Sequence, residues 1–223
     1  VGSRVERKED KKFLTGKGRY TADINLAHQT YAYFVRSPHA RAKIKRVDIS
    51  KASKAPGIVK ILTGKDLAND KIGGLIAGWK IVSQDGTDMK VPAHPPLASD
   101  TVNYVGDHVA VVIAESLDQA KDAADLVKVD YKILKAVVNT GDAMTSEAIH
   151  DGIEKNLCFD FVLGDKTKTD EAFSKADKVI KIDLVNNRLI PNAMEPRASI
   201  GDYNPSTEDL TLYTANPNPH LTR

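Results

Sequence analysis

Several short runs bring together side chains able to do chemistry. Gly16-Lys17-Gly18 could cradle a phosphate with glycine N–H groups and a lysine. No strand pattern precedes it and no Gly-Lys-Ser/Thr ends it, so a turn is the expected role. Arg36-Ser37-Pro38-His39-Ala40-Arg41 sets a histidine between two guanidinium groups, suited to anion contact or to hydrogen bonding with backbone carbonyls. A structural turn uses the same residues and is the expected reading. His94 lies in a proline-rich stretch and His108 opens an apolar one. Neither has a second ligand at metal spacing, which leaves each as a hydrogen-bonded histidine. Cys158 would be a nucleophile if ionised, but Leu157 and Phe159 beside it predict burial and an inert thiol. Glu195 and Arg197 flank Pro196 and could pair or contact a ligand, with Pro191 and Pro196 stiffening the backbone. No Ser-His-Asp set, close carboxylate pair or His-Glu-x-x-His pattern occurs, so spacing alone defines no catalytic residue and no metal ligand.

Composition narrows the class of protein that must position these groups. Lysine and arginine number 32 against 30 acids, a net charge of +2. That balance argues against nucleic acid or an anionic membrane as partner. Aromatics make up 6% of residues, which leaves few platforms for stacking bases. The single cysteine excludes an internal disulfide framework and any multi-cysteine zinc or iron–sulfur site. No apolar run approaches the roughly 20 residues that span a bilayer, and Val1 to Asp10 is charged, with no visible leader. The expectation is a soluble cytoplasmic protein of mixed helix and sheet.

Patterning then places the elements. Gln29–Arg36 and Ala42–Asp48 alternate as strands, and Ile58–Leu62 reads as a buried strand. Ile49–Ala52 opens a short helix with Ser50 as N-cap and Pro56-Gly57 as its stop. Thr63–Leu67 is a loop entering a helical turn, and Ile72–Leu97, rich in glycine and proline, is a long surface loop or lid. Val109–Ala114 is a continuous apolar run, the mark of a central strand. Ser116 then caps an amphipathic helix with Gln119 at its third position and Leu117, Ala120, Ala124 and Val127 on one face. Val127–Tyr131 is the next strand and Asp170–Ala176 a short helix. Lys178–Val185, Ala198–Tyr203 and Glu208–Ala215 predict a three-stranded meander, with Asn204-Pro205-Ser206-Thr207 as the last turn. A sheet that small needs cover from elsewhere.

The order of motifs resembles the molybdenum-binding large subunit of the xanthine dehydrogenase/aldehyde oxidase/carbon monoxide dehydrogenase family. The residues that carry this are Arg7-Lys8-Glu9-Asp10, Phe13 to Asp23, Val35 to Ala42, Ala55 to Val59, Val105 to Ala110 and Ala120 to Ala124, then Asn187 to Arg197. The carbon monoxide dehydrogenase-like branch is the nearest in style. The resemblance implies an α+β protein: an extended arm over 1–15, an α/β hammerhead domain over 16–135, a linker over 136–168, and over 169–223 the opening antiparallel strands of a molybdenum-cofactor-binding domain. It also implies molybdopterin in the complete enzyme, and partners in the remainder of the molybdenum subunit, an iron–sulfur subunit and an FAD subunit. The complete enzymes oxidise aldehydes, purines or carbon monoxide.

Two departures bear on activity. The family's Ser-Thr-Gln-Asn-Pro-His run, whose glutamine lies near molybdenum, corresponds here to Ala215-Asn216-Pro217-Asn218-Pro219-His220, so Pro217 stands in the glutamine's place. Proline offers neither a side-chain amide nor a backbone donor. The resemblance further implies that the glycine-rich loop, the pterin-binding segments and the catalytic glutamate fall beyond residue 223. No cofactor and no turnover are therefore expected of this chain alone; a non-enzymatic assembly or interaction module is the alternative.

Overall fold

The computed structural model describes residues 2–187, 189–193 and 195–222. In chain order, helix α1 (Asp10–Leu14) precedes strands β1 (Tyr31–Arg36), β2 (Ala42–Asp48) and β3 (Ile58–Thr63). Helix α2 (Gly64–Asn69), strands β4 (Thr101–Val102) and β5 (His108–Ala114), helix α3 (Leu117–Leu126) and strand β6 (Lys128–Ile133) follow. Helix α4 (Lys166–Ser174), strands β7 (Ser199–Asn204) and β8 (Asp209–Thr214), and the short α5 (Pro219–Thr222) complete the series. The chain divides into two compact units, Thr30–Val179 and the combination of Val1–Gln29 with Ile180–Arg223.

Within Thr30–Val179 two antiparallel sheets form, in the orders β1-β5-β3 and β4-β2-β6. The apolar run at β5 takes the centre of its sheet, where both edges are paired and both faces can be covered. Val109, Ala110, Val111, Val112 and Ala114 are all buried. Helix α3 begins at Ser116, whose Oγ accepts from the Gln119 backbone N–H at 3.3 Å. Its buried face is Ala120, Ala123 and Ala124, packed with Ala52, Ile61, Val112 and Ala114. The expected stripe is thus shifted: Ala123 joins it, while Leu117 at the first turn is 41% exposed. Only methyl side chains face the sheet here, so the helix can sit close to the strands. The second core gathers Ala42, Ile44, Ala98, Val102 and Val109.

Other expectations change for local reasons. In place of a helix capped by Ser50 there is one 3-10 turn, Ala52–Lys54, because the Asp48 carboxylate takes the Ser50 N–H at 3.0 Å. Only Ile61 of β3 is buried; Val59 and Lys60 are exposed, as befits an edge strand. Helix α2 starts at Gly64 because Asp66 Oδ2 accepts from both the Thr63 N–H, at 2.7 Å, and its hydroxyl, at 2.6 Å. Asp165 Oδ1 takes the Lys168 N–H at 3.0 Å, which starts α4 four residues earlier than the expected Asp170.

The stretch Ile72–Leu97 holds no helix and no multi-residue strand, but it is tied down. A bridge joins Val82 to Asp88. Gln84 donates to the Asp160 carbonyl and Lys90 to that of Cys158, both at 2.9 Å, and Ser83 Oγ accepts from Asp160 N at 3.2 Å. The segment from 157 to 161 therefore serves as a backbone template for the loop.

In the other unit, β7 and β8 form a two-stranded hairpin from Ser199↔Thr214 to Asn204↔Asp209. The third strand expected at Lys178–Val185 is not formed. Its alternation is real, but no strand among the described residues pairs with it, and Ile180, Ile182, Leu184 and Val185 are exposed.

Candidate functional site

The site is best built from the turn that leads into β5. Gly106 has φ +91°, a backbone conformation that side chains resist. Its N–H donates to the Ser37 carbonyl and Ser37 N–H donates back to the Asp107 carbonyl, both at 2.8 Å. This reciprocal pair locks the turn after β1 against the turn before β5. Arg36 Nη1 donates to the Gly106 carbonyl at 3.1 Å. Arg41 donates from Nη1 to the Lys135 carbonyl at 3.2 Å and from Nη2 to that of Ile149 at 3.0 Å. His39 sets its ring edge-on to Tyr131, with centroids 4.9 Å apart. Arg36 to Arg41 is therefore a structural turn whose arginines bind carbonyls of their own chain.

A cleft of about 370 Å³ opens beside the β5 turn. Leu75, Ile76, Val91, Pro92, Pro95 and Ala98 supply apolar walls, while His94, Asn103, Tyr104, Asp107 and His150 supply polar groups. Leu75 N–H donates to the His94 carbonyl at 2.8 Å, which holds the two limbs of the loop together over the cleft. His94 Nε2 lies 3.3 Å from the Tyr104 hydroxyl, with the rings edge-to-face. Burial, and then the neighbouring Asp107 charge, push the Tyr104 phenol above its ordinary range, so it stays a donor at neutral pH. Asp107 is 7% exposed, and its Oδ2 accepts from Asn103 N–H at 3.1 Å. His108, one residue on, stacks on Phe34 at 4.5 Å and passes its carbonyl to Ala98 N–H at 2.7 Å. Burial, reinforced by the Arg36 charge, depresses the His108 imidazole and favours its neutral form.

The remaining sequence candidates lie apart from this cleft. Gly16 has φ +69° and Lys17 N–H donates to the Lys12 carbonyl at 2.9 Å, so Gly16-Lys17-Gly18 is the turn that ends α1. Cys158 is exposed, contrary to the expected burial. Leu157 and Phe159 are themselves exposed, and it is the backbone of this segment that the loop uses. Two residues of the Asn187–Arg197 run, Arg188 and Met194, lie outside the described residues. Arg197 Nη2 reaches the Pro191 carbonyl at 3.4 Å, and no Glu195–Arg197 ion pair occurs among the described residues. Pro217 sits in a bend, where Asn218 N–H donates to Asn216 Oδ1 at 2.8 Å and Asn216 Nδ2 contacts Thr222 Oγ1. The sequence patterns single out neither Tyr104 nor Asp107, the latter entering only within the run Val105 to Ala110. The available signal was an acid between a glycine and a buried apolar run.

Comparison with known proteins gives consistent matches along the chain. Residues 15–135 match the aldehyde oxidase and xanthine dehydrogenase a/b hammerhead domain, and residues 149–223 match the molybdopterin cofactor-binding domain. The nicotine 6-hydroxylase large subunit of Paenarthrobacter nicotinovorans is 33% identical over 223 residues, covering 100% of this chain and 27% of that protein. The carbon monoxide dehydrogenase large chain of Afipia carboxidovorans is 33% identical over 239 residues, covering 100% and 28%. The solved quinoline 2-oxidoreductase from Pseudomonas putida 86 superposes with a TM-score of 0.80 at 31% identity, over 96% of this chain and 27% of that one. The chain thus spans about a quarter of the length of the relatives it matches. With a hammerhead matched from 15 to 135, a molybdopterin-binding domain begun after it and both sheets in place, the chain belongs to the aldehyde oxidase and xanthine dehydrogenase family of molybdenum enzymes.

Proposed function

We propose that these residues contribute the hammerhead and the opening of the cofactor-binding domain to the large subunit of a molybdenum hydroxylase, with chemistry carried by residues outside this sequence. The observation that carries the reading is the succession of the two matched domains, at 15–135 and 149–223, in one chain. Molybdopterin belongs to the complete subunit in this reading, and the residues present do not fit it by themselves. At the run from Ala215 to His220, Pro217 lacks a donor, and the side-chain amide of Asn216 is turned onto the chain's own residues, its oxygen accepting from Asn218 N–H and its nitrogen donating to Thr222. An iron–sulfur subunit and an FAD subunit are the proposed partners for electron transfer, and the substrate of the complete enzyme is an aldehyde, a purine or carbon monoxide. A cytoplasmic location is part of the reading, on the ground of a lone cysteine that has no disulfide partner. No helix among the described residues is long and apolar enough to cross a membrane.

Metal analysis and a dye-linked dehydrogenase assay on the 223-residue chain test the division of labour. The expected result is neither bound molybdenum nor turnover; stoichiometric molybdenum with turnover would overturn it. A second reading, a non-enzymatic assembly module of the same descent, draws on Pro217. Affinity capture separates the two: recovery of a chain with the remaining cofactor-binding segments supports the enzyme.

A further inference from the structure

We propose that the cleft beside the β5 turn binds a small monocationic amine with an apolar or aromatic body, held by Asp107 and Tyr104. The first ground is an uncompensated charge. Asp107 is 7% exposed, yet no lysine, arginine or histidine nitrogen among the described residues pairs with it within 4.0 Å. Buried carboxylates are ordinarily paired, because burial strips them of water. Arg36 is close enough to influence Tyr104 and His108, but its Nη1 is committed to the Gly106 carbonyl. The donors that face the carboxylate are neutral ones, the Asn103 N–H at 3.1 Å and the neighbouring Tyr104 hydroxyl.

The second ground is what surrounds that carboxylate. It lines a cleft of about 370 Å³, within the range of small-molecule sites. That space admits a whole small molecule rather than the tip of a side chain. Ile76, Val91 and Pro95 form apolar walls for a hydrocarbon body. Tyr104 adds an aromatic ring, held by its contact with His94, whose face attracts a cation. Carboxylate, aromatic ring and apolar wall together are complementary to an ammonium group on a short apolar stem. A neutral ligand would leave Asp107 uncompensated, and an anion would be repelled.

Phenethylamine and its uncharged analogue 2-phenylethanol are suitable probes, titrated into the 223-residue chain at pH 8 and followed by amide chemical shifts. The amine is expected to bind about tenfold more tightly than the alcohol, the increment of a charge-assisted contact. Shifts should concentrate at residues 75–77, 91–95 and 103–107. Asp107→Asn should lower amine affinity about tenfold and leave the alcohol unchanged. Should that variant fail to fold, the amine-over-alcohol preference of the unaltered chain and its loss in high salt decide the matter. Equal binding of both probes, no binding at millimolar concentration, or shifts confined to other residues overturns the proposal. The cleft is built from residues 75–150 alone, so this outcome is independent of the molybdenum reading.

Discussion

A single carboxylate governs the junction between β3 and α2. Asp66 accepts from the Thr63 N–H and hydroxyl, and these two bonds hold its carboxyl below the usual range. The folded form therefore favours the ionised group, so the stabilisation is present above the unfolded value near 4 and fades as pH falls through the lower folded value. Asp66→Asn should cost about 0.5–1 kcal/mol at pH 7, the scale of a lost helix cap. Urea unfolding checks this, and the gap between the two proteins should narrow at pH 3. A gap that stays constant with pH would show that the charge is irrelevant. The same scale shows what a sequence conceals. The Asp66 cap is encoded within three residues, whereas Asp107 acquires its role only when residues 75–95 are brought over it. Cys158 errs in the other direction: apolar neighbours in sequence are no shield when those neighbours are exposed themselves.

At the level of elements, α3 and β5 were readable because their determinants are local. A serine cap, a glutamine three residues later and a run of six apolar residues specify a helix start and a central strand without reference to the rest of the chain. Lys178–Val185 alternates just as clearly, but a strand is a relation between two segments, and pairing cannot be read from one of them. The detail that patterning missed in α3 is its closeness to the sheet. Ala120 and Ala123 are wholly buried and leave no room for larger side chains. Ala123→Leu, hydrophobic and favourable to helix, should nevertheless destabilise by about 1–3 kcal/mol through overpacking. A thermal or urea melt measures it; an unchanged or raised midpoint would mean that the helix can retreat from the sheet at no cost.

For the molecule as a whole, the hammerhead and the segment after it differ in how far they satisfy themselves. In Thr30–Val179 one strand, β5, feeds both buried clusters, Val112 and Ala114 entering one and Val109 the other. Among its described residues the other unit has one hairpin and a run of exposed apolar side chains, with Ile182 at 71% and Leu184 at 86%. Exposed apolar stretches of this kind promote association. Replacing both with threonine should leave the urea midpoint within about 0.5 kcal/mol of the parent, as for other exposed sites. Light scattering and hydrophobic-dye binding should fall. A large loss of stability would instead reveal that the run is already packed.

The clamping of the long loop has a consequence for the covalent chain itself. β2 and β3 precede Ile72–Leu97, and their pairing partners β4, β5 and β6 all follow it. Gln84 and Lys90, on the two limbs of the inner bend, are both held by the 158–160 backbone. A peptide bond cut at Asp85-Gly86 would leave each new end anchored and every sheet intact. The sheets are in this sense a two-piece interlock held by strand pairing rather than by the peptide bond at Asp85-Gly86, so a chain nicked there is expected to stay assembled.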